Sequence, residues 1–304
     1  MRFSLVSNLP EFDREREAVL KGVGSHAYIV EGRLGQGKTS FALAVACAHF
    51  CVGEGKKPCF ECPQCKKVME GNHPDVHIIE PDRNIVRVDQ IRSVISTVYE
   101  SSYEGGAKIY IFKQFHLAND HAQNALLKTL EEPPQAVTFF LLSENGQALL
   151  PTVRSRCKLL RLSEYSQADI LRELEERNPG NERNKYAAQA SQGNIGNAVR
   201  LVEDEEFIRL DSVAEEIMAT LDSDSAAVRI GVMLEKEKEG LLMLLEMLEG
   251  KLFTQMRLKH REVDVIRLNA VKEAYSAKKK NINGGLVTDS LAYSLAKGGH
   301  KWQR

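Results

Sequence analysis

The chain has 304 residues, 43% hydrophobic and 27% charged, with 41 Lys plus Arg against 42 Asp plus Glu. That length exceeds one usual domain and can bury a substantial core, so two or three domains are expected. A formal net charge of −1 excludes a global positive field that would draw the chain to nucleic acid or an acidic membrane, and no run approaches the roughly 18 apolar residues of a membrane span.

In chain order, Ala27-Tyr28-Ile29-Val30 predicts a short buried strand and Ser40 to Phe50 an apolar helix. Between them Gly32-Arg33-Leu34-Gly35-Gln36-Gly37-Lys38-Thr39 fits the spacing GxxxxGK[ST] of a phosphate-binding loop. The site residues are Gly32, Gly35, Gln36, Gly37, Lys38 and Thr39: the glycines let backbone N–H groups approach phosphates, Lys38 neutralises them, and the Thr39 hydroxyl can ligate magnesium. The bland alternative is a glycine turn packing a strand on a helix.

Cys51, Cys59, Cys62 and Cys65 follow, set among Gly53, Gly55, Pro58 and Pro63. Four thiolates so spaced in a turn-rich segment suit a closed, structural tetrahedral zinc site. Disulfides compete, but the chain shows no apolar signal segment, and a reducing cytoplasm keeps thiols free. Cys47, one helical turn earlier, reads as core.

Further strands are expected near Ile78, Ile111, Phe140 and Leu159, with helices between, which predicts a mostly parallel sheet covered by helices. The strand Lys108–Phe112 should supply the acids of a nucleotide hydrolase, an Asp for magnesium and a Glu for water. Those positions hold Lys113 and Gln114. An ammonium about 4 Å from a divalent ion costs about 8 kcal/mol at an effective dielectric of about 20, so a Lys113 turned into the site excludes magnesium. The alternative is a Lys113 turned to solvent, with both acids still missing. Ala122, Ala125, Leu126, Thr129 and Leu130 mark one face of a helix that stops at Glu131-Glu132-Pro133-Pro134.

From Ser166 onward helical periodicity takes over, with a break at Gly193-Asn194-Ile195-Gly196. Leu241, Leu244, Leu245, Leu248, Leu252 and Met256 form one apolar stripe, and Val265, Leu268, Val271 and Tyr275 another. Periodicity does not say whether such stripes face a core or a partner. The run Lys278-Lys279-Lys280 reads as a solvated helix end.

Several segments together resemble the delta-prime subunits of the bacterial clamp loader, within the AAA+ clamp-loader family, over nearly the whole chain. They are Ser25-His26-Ala27-Tyr28, the phosphate loop, the four-cysteine insert, Gly71-Asn72-His73-Pro74-Asp75, Val88-Asp89-Gln90-Ile91-Arg92, Asn124 to Pro134, and Ser155-Arg156-Cys157. Delta-prime is favoured over the hydrolysing tau/gamma sibling by Lys113 and Gln114, by the His73 and Val88 segments, and by Gly196 where the sibling carries a phosphate-sensing arginine.

The resemblance implies an α/β AAA+ P-loop domain with a four-cysteine zinc module over residues 1–162, a three-helix lid over 163–205 and a helical collar for oligomerisation over 206–304. It implies a cytoplasmic, non-hydrolysing subunit of a hetero-pentameric loader of DNA polymerase III. That assembly places the sliding clamp on primer-template DNA. ATP or ADP would bind without magnesium, and zinc would be structural. It also assigns Arg156 as a catalytic finger acting in trans on a neighbour's ATP; taken alone, Arg156 reads as a surface ion pair. Two other readings remain: a tau/gamma-type ATPase using displaced acids such as Glu131 or Glu132, and a zinc-bearing DNA-binding module outside any ring, which the neutral net charge disfavours.

Overall fold

A computed structural model describes residues 5–104, 106–280 and 282–297. The five expected strands are present: β1 Ala27–Glu31, β2 Val76–Ile79, β3 Lys108–Phe112, β4 Val137–Ser143 and β5 Lys158–Arg161. All pairings are parallel, in the order β2-β3-β4-β1-β5. The central strands β3 and β4 are buried at every residue, as continuous apolar runs between two helical layers must be. One face of the sheet sets Ile29, Tyr110, Phe112, Phe139 and Leu141 against Ile91, Leu126 and Leu130. On the other, Tyr28 stacks on Phe140 at 5.1 Å, and Phe12 meets Phe41 edge-on at 6.3 Å.

The helix Asp120–Glu131 begins where the Asn119 side chain accepts from the Ala122 N–H. It buries Ala122, Leu126, Thr129 and Leu130, and ends before the expected prolines. Cys47 lies fully in the core, and Cys157 packs at the start of β5, where burial pushes its thiol up to about 12.

The chain divides into two compact units, 1–198 and 199–304. Within the first, the helices Gln167–Arg177 and Asn184–Ala190 follow the sheet; the helix Ile195–Glu203 begins there and runs past the division. The second consists of the helices Glu205–Thr220, Ala226–Lys236, Leu241–Lys259, Glu262–Lys279 and Gly284–Lys297.

The second unit closes on its own core, which answers the question the stripes left open. Leu241, Leu244, Leu245, Leu248 and Leu252 are buried inward with Met256 packed against them, as are Leu268 and Val271. Val265, at 43% exposure, lies off that core. Inside the unit Arg267 donates to the carbonyls of Leu295 and Leu221, at 2.7 and 2.9 Å, and pairs with Asp222. Among the described residues no helix is long and apolar enough to cross a membrane.

Candidate nucleotide site and metal centre

β1 delivers the phosphate loop to the carboxyl end of a parallel sheet, between β4 and β5, where open α/β sheets bind ligands. Gly37 sits at φ 86°, ψ 18°, a left-handed conformation that suits glycine, and opens the helix Lys38–Phe50. Lys38 is buried, and its ammonium donates to the carbonyls of Gly32 and Arg33 at 2.7 and 2.9 Å. Burial pushes its pKa below the usual lysine value; the Glu144 carboxylate pulls the other way. The Gln36 carboxamide braces the loop: it accepts from the Arg33 N–H at 2.8 Å and donates to the carbonyls of Leu162 and Ser163. Thus Gly32, Gly35, Gln36, Gly37, Lys38 and Thr39 form one continuous cradle at a helix N-terminus, the arrangement that receives phosphates.

The segment read as a glycine break closes on that cradle. Gly196 N–H donates to Gly35 O at 2.9 Å, Asn194 Nδ2 donates to Leu34 O at 2.7 Å, and Arg33 pairs with Glu164 at 2.8 Å. A Cβ on Gly196 would lie 2.6 Å from Gly35 Cα. No side chain, and so no sensing arginine, fits at 196 with the loop in this position. Because both contacting groups are backbone, rotamer adjustment cannot relieve the clash. Gly196→Ala is expected to destabilise the protein by about 1–3 kcal/mol, read as a lowered thermal midpoint; an unchanged midpoint would mean that the contact is not held in solution.

Lys113 does not face the metal position. Its ammonium pairs at 2.6 Å with Glu80, which follows β2, the strand on the far side of β3 from β4 and β1. The nearby carboxylate draws it there, so the idea of an ammonium in the metal's place is replaced by a simpler one: neither acid is present at 113 or 114. Gln114 takes a left-handed turn, φ 47°.

The four cysteines Cys51, Cys59, Cys62 and Cys65 come together, with every pair of Sγ atoms within 4.8 Å. Tetrahedral zinc with Zn–S of about 2.3 Å needs S···S of about 3.8 Å, so the cluster fits an ion after a small contraction. Each step of the chain turns an N–H toward a sulfur: Cys59 N to Cys51 Sγ at 3.3 Å, Cys62 N to Cys59 Sγ at 3.3 Å, and Cys65 N to Cys62 Sγ at 3.5 Å. Burial raises the Cys62 thiol, but the N–H groups of Cys65 and Val52, with side-chain hydrogen bonds to Cys65 and Cys59, outweigh it and bring it down to about 6. No cysteine is disulfide-bonded.

Arg156 lies on the surface after β4 and the short helix Pro151–Arg154. Its Nη1 donates to Thr152 O at 2.8 Å and Ser155 Oγ at 3.2 Å, and its Nη2 pairs with Glu131. Sequence reasoning missed three contacts here: the bracing by Gln36, the Asn194 contact, and the pairing of Glu131 with Arg156.

Residues 13–166 match the family model described as "DNA polymerase III, delta subunit". The chain belongs to that family. It is 34% identical over 183 residues to the DNA polymerase III subunit delta' of Bacillus subtilis, covering 60% of this chain and 55% of that one. It is 36% identical over 153 residues to the delta' subunit of Escherichia coli, covering 49% and 46%. The tau subunit of Escherichia coli aligns more widely, 31% identical over 233 residues, 72% of this chain and 36% of that one. The chain spans about half the length of the delta' relatives it matches. A gamma-subunit-related protein from Thermotoga maritima shares the fold at a TM-score of 0.52 and 17% identity, covering 94% of this chain and 99% of that one. The family and the delta' relatives agree with the resemblance read from the sequence, as the parallel sheet with its four-cysteine cluster agrees with the expected fold class.

Proposed function

We propose that this chain is the delta' subunit of a replicative clamp loader, one member of a hetero-pentameric ring that sets a sliding clamp on primer-template DNA. It binds ATP or ADP without hydrolysing it, carries one structural zinc on Cys51, Cys59, Cys62 and Cys65, and lends Arg156 to the ATP site of a neighbouring tau/gamma-type subunit. Its division of labour is an AAA+ P-loop domain over 1–162, a lid over 163–205 and a collar over 206–304. The observation that carries the reading is the pairing of a complete phosphate cradle with Lys113 and Gln114 at the acid positions, Lys113 being committed to Glu80. A cradle without those acids binds charge but has no protein group at those positions to hold magnesium or prepare water.

Purification of the protein from its own cell extract should bring down tau/gamma-type and delta-type loader subunits, and the isolated chain should show no ATP turnover. Failure to recover loader subunits would refute the assignment. The tau/gamma-type reading has one observation in its favour, the wider alignment to the tau subunit; steady turnover by the isolated chain would establish it instead.

The missing acids also fix the metal dependence. With no acid at 113 or 114 to hold magnesium beside the Thr39 hydroxyl and the nucleotide, nucleotide affinity in magnesium-free buffer should match that in magnesium within about a factor of three, under 1 kcal/mol. Calorimetric titration checks this, and a large magnesium requirement would mean that another acid ligates the ion.

A further inference from the structure

The candidate finger is held from its own chain. A guanidinium has five N–H donors, and Arg156 commits three of them, to Thr152 O, Ser155 Oγ and Glu131. Two donors remain. The Arg156 and Glu131 side chains are 31% and 49% exposed, so the pair is open to a neighbouring molecule. An ion pair at that exposure adds little to folding stability.

Glu131 is badly placed for its own helix. It is the last residue of Asp120–Glu131, where the negative end of the helix dipole disfavours a carboxylate. Arg156 offsets that cost. The carboxylate is also rigidly carried, because Thr129 and Leu130 just before it are buried at 2% and 1%, and the chain cannot continue as helix through Pro133-Pro134. A carboxylate that gives the fold little, stands on a fixed element and pairs with Nη2 of a half-buried arginine has the attributes of an orienting group.

We propose that Glu131 is a positioning residue for Arg156, holding the guanidinium so that its two spare donors face the phosphate oxygens of a nucleotide bound by the adjoining subunit. The proposal rests on the trans-acting role assigned to Arg156 above. An unrestrained arginine gives up rotamer freedom when it engages a ligand, and a carboxylate clamp settles that loss in advance. The opposite role, a latch that keeps the arginine away from the neighbour, predicts the opposite sign: removing the carboxylate would then speed the loader.

The test uses complete loader complexes reconstituted with the wild-type chain, Glu131→Ala, Glu131→Gln, Arg156→Ala and the Glu131→Ala/Arg156→Ala double variant. Glu131→Ala should weaken catalysis by about tenfold at the one site Arg156 serves, within the span that coupled neighbours show. Because the other sites in the ring keep working, whole-complex turnover should fall by less than this and by no more than in Arg156→Ala, through kcat with KM for ATP unchanged. The thermal midpoint of the isolated chain should not move. Glu131→Gln keeps the acceptor and should recover part of the loss. The double variant should be no slower than Arg156→Ala alone, because Glu131 acts only through the arginine. Wild-type turnover by Glu131→Ala beside an impaired Arg156→Ala would overturn the positioning role alone, as would losses that multiply in the double variant or a gain in rate. Wild-type turnover by Arg156→Ala would remove the trans-acting role and this proposal together.

Discussion

Arg156→Ala is expected to cut ATP turnover and clamp loading by the assembled loader while leaving the folding, zinc content and nucleotide binding of this chain unchanged. The side chain is half-buried and, among the described residues, bonds to Thr152, Ser155 and Glu131 on its own surface, so its loss should shift stability by no more than about 0.5 kcal/mol. Its worth lies outside the chain. A finger arginine contributes a factor of roughly 10³ or more at the site it serves, by countering the charge spread over the transferring phosphoryl oxygens. Other sites in the ring keep working, so the loss measured on the whole complex should be smaller and should show most in loading. Arg156→Lys should rescue poorly, since a compact ammonium cannot reproduce a planar fork of donors. The measurement is clamp-stimulated ATPase and loading at saturating subunit with the three chains compared. If the alanine complex keeps wild-type rates, Arg156 is an ordinary surface residue.

What the sequence disclosed and what it hid divide along contact distance in the chain. The strands β1, β3 and β4 were legible because runs such as Tyr28-Ile29-Val30 and Ile109-Tyr110-Ile111-Phe112 are apolar at every position, which only a sheet buried on both faces requires. β5 was legible mainly from its place, since three of its four residues are exposed. The phosphate loop and the cysteine cluster were legible because their chemistry is local, within eight and fifteen residues. The orientation of Lys113 was not. Its partner Glu80 lies 33 residues earlier and becomes a neighbour only because β2 and β3 pair in parallel, with Ile79 opposite Phe112. Gly196 looked like a lost arginine, but its meaning is a backbone contact with Gly35, 161 residues away, that any side chain would block. The leucine stripe from Leu241 to Leu252 carried no mark of which way it faced, because period 3.6 is the same for a core and for a partner.

Purified protein should carry about one zinc per chain, and removing it should unfold the cysteine module without unfolding the sheet. The helix Lys38–Phe50 is held by a core of its own, with Phe41, Ala44, Val45 and Ala48 buried, and depends little on the metal. The segment 51–65 is different. Among its residues only Cys51, Pro58 and Cys65 are buried, with Phe60 half-buried, so little apolar packing holds it. Zinc must supply most of its order. Apparent zinc free energies of about 10–16 kcal/mol in small zinc modules set the upper scale of that contribution. Without the ion, four sulfurs converge; hydrogen bonds bring the Cys62 thiol down to about 6, while burial pushes the Cys51 thiol up to about 11. Protons compete for the same sulfurs, so zinc is held most firmly at neutral and alkaline pH and is released as the pH falls and the thiolates protonate. Cys65→Ser removes a buried ligand and leaves a hydroxyl facing three sulfurs, and it should lose the ion at neutral pH. Elemental analysis of protein purified without chelator gives the stoichiometry; hydrogen exchange before and after chelation gives the extent of unfolding. No zinc in such protein, or unchanged protection of residues 51–65 after the metal is stripped, would refute a structural zinc at these cysteines.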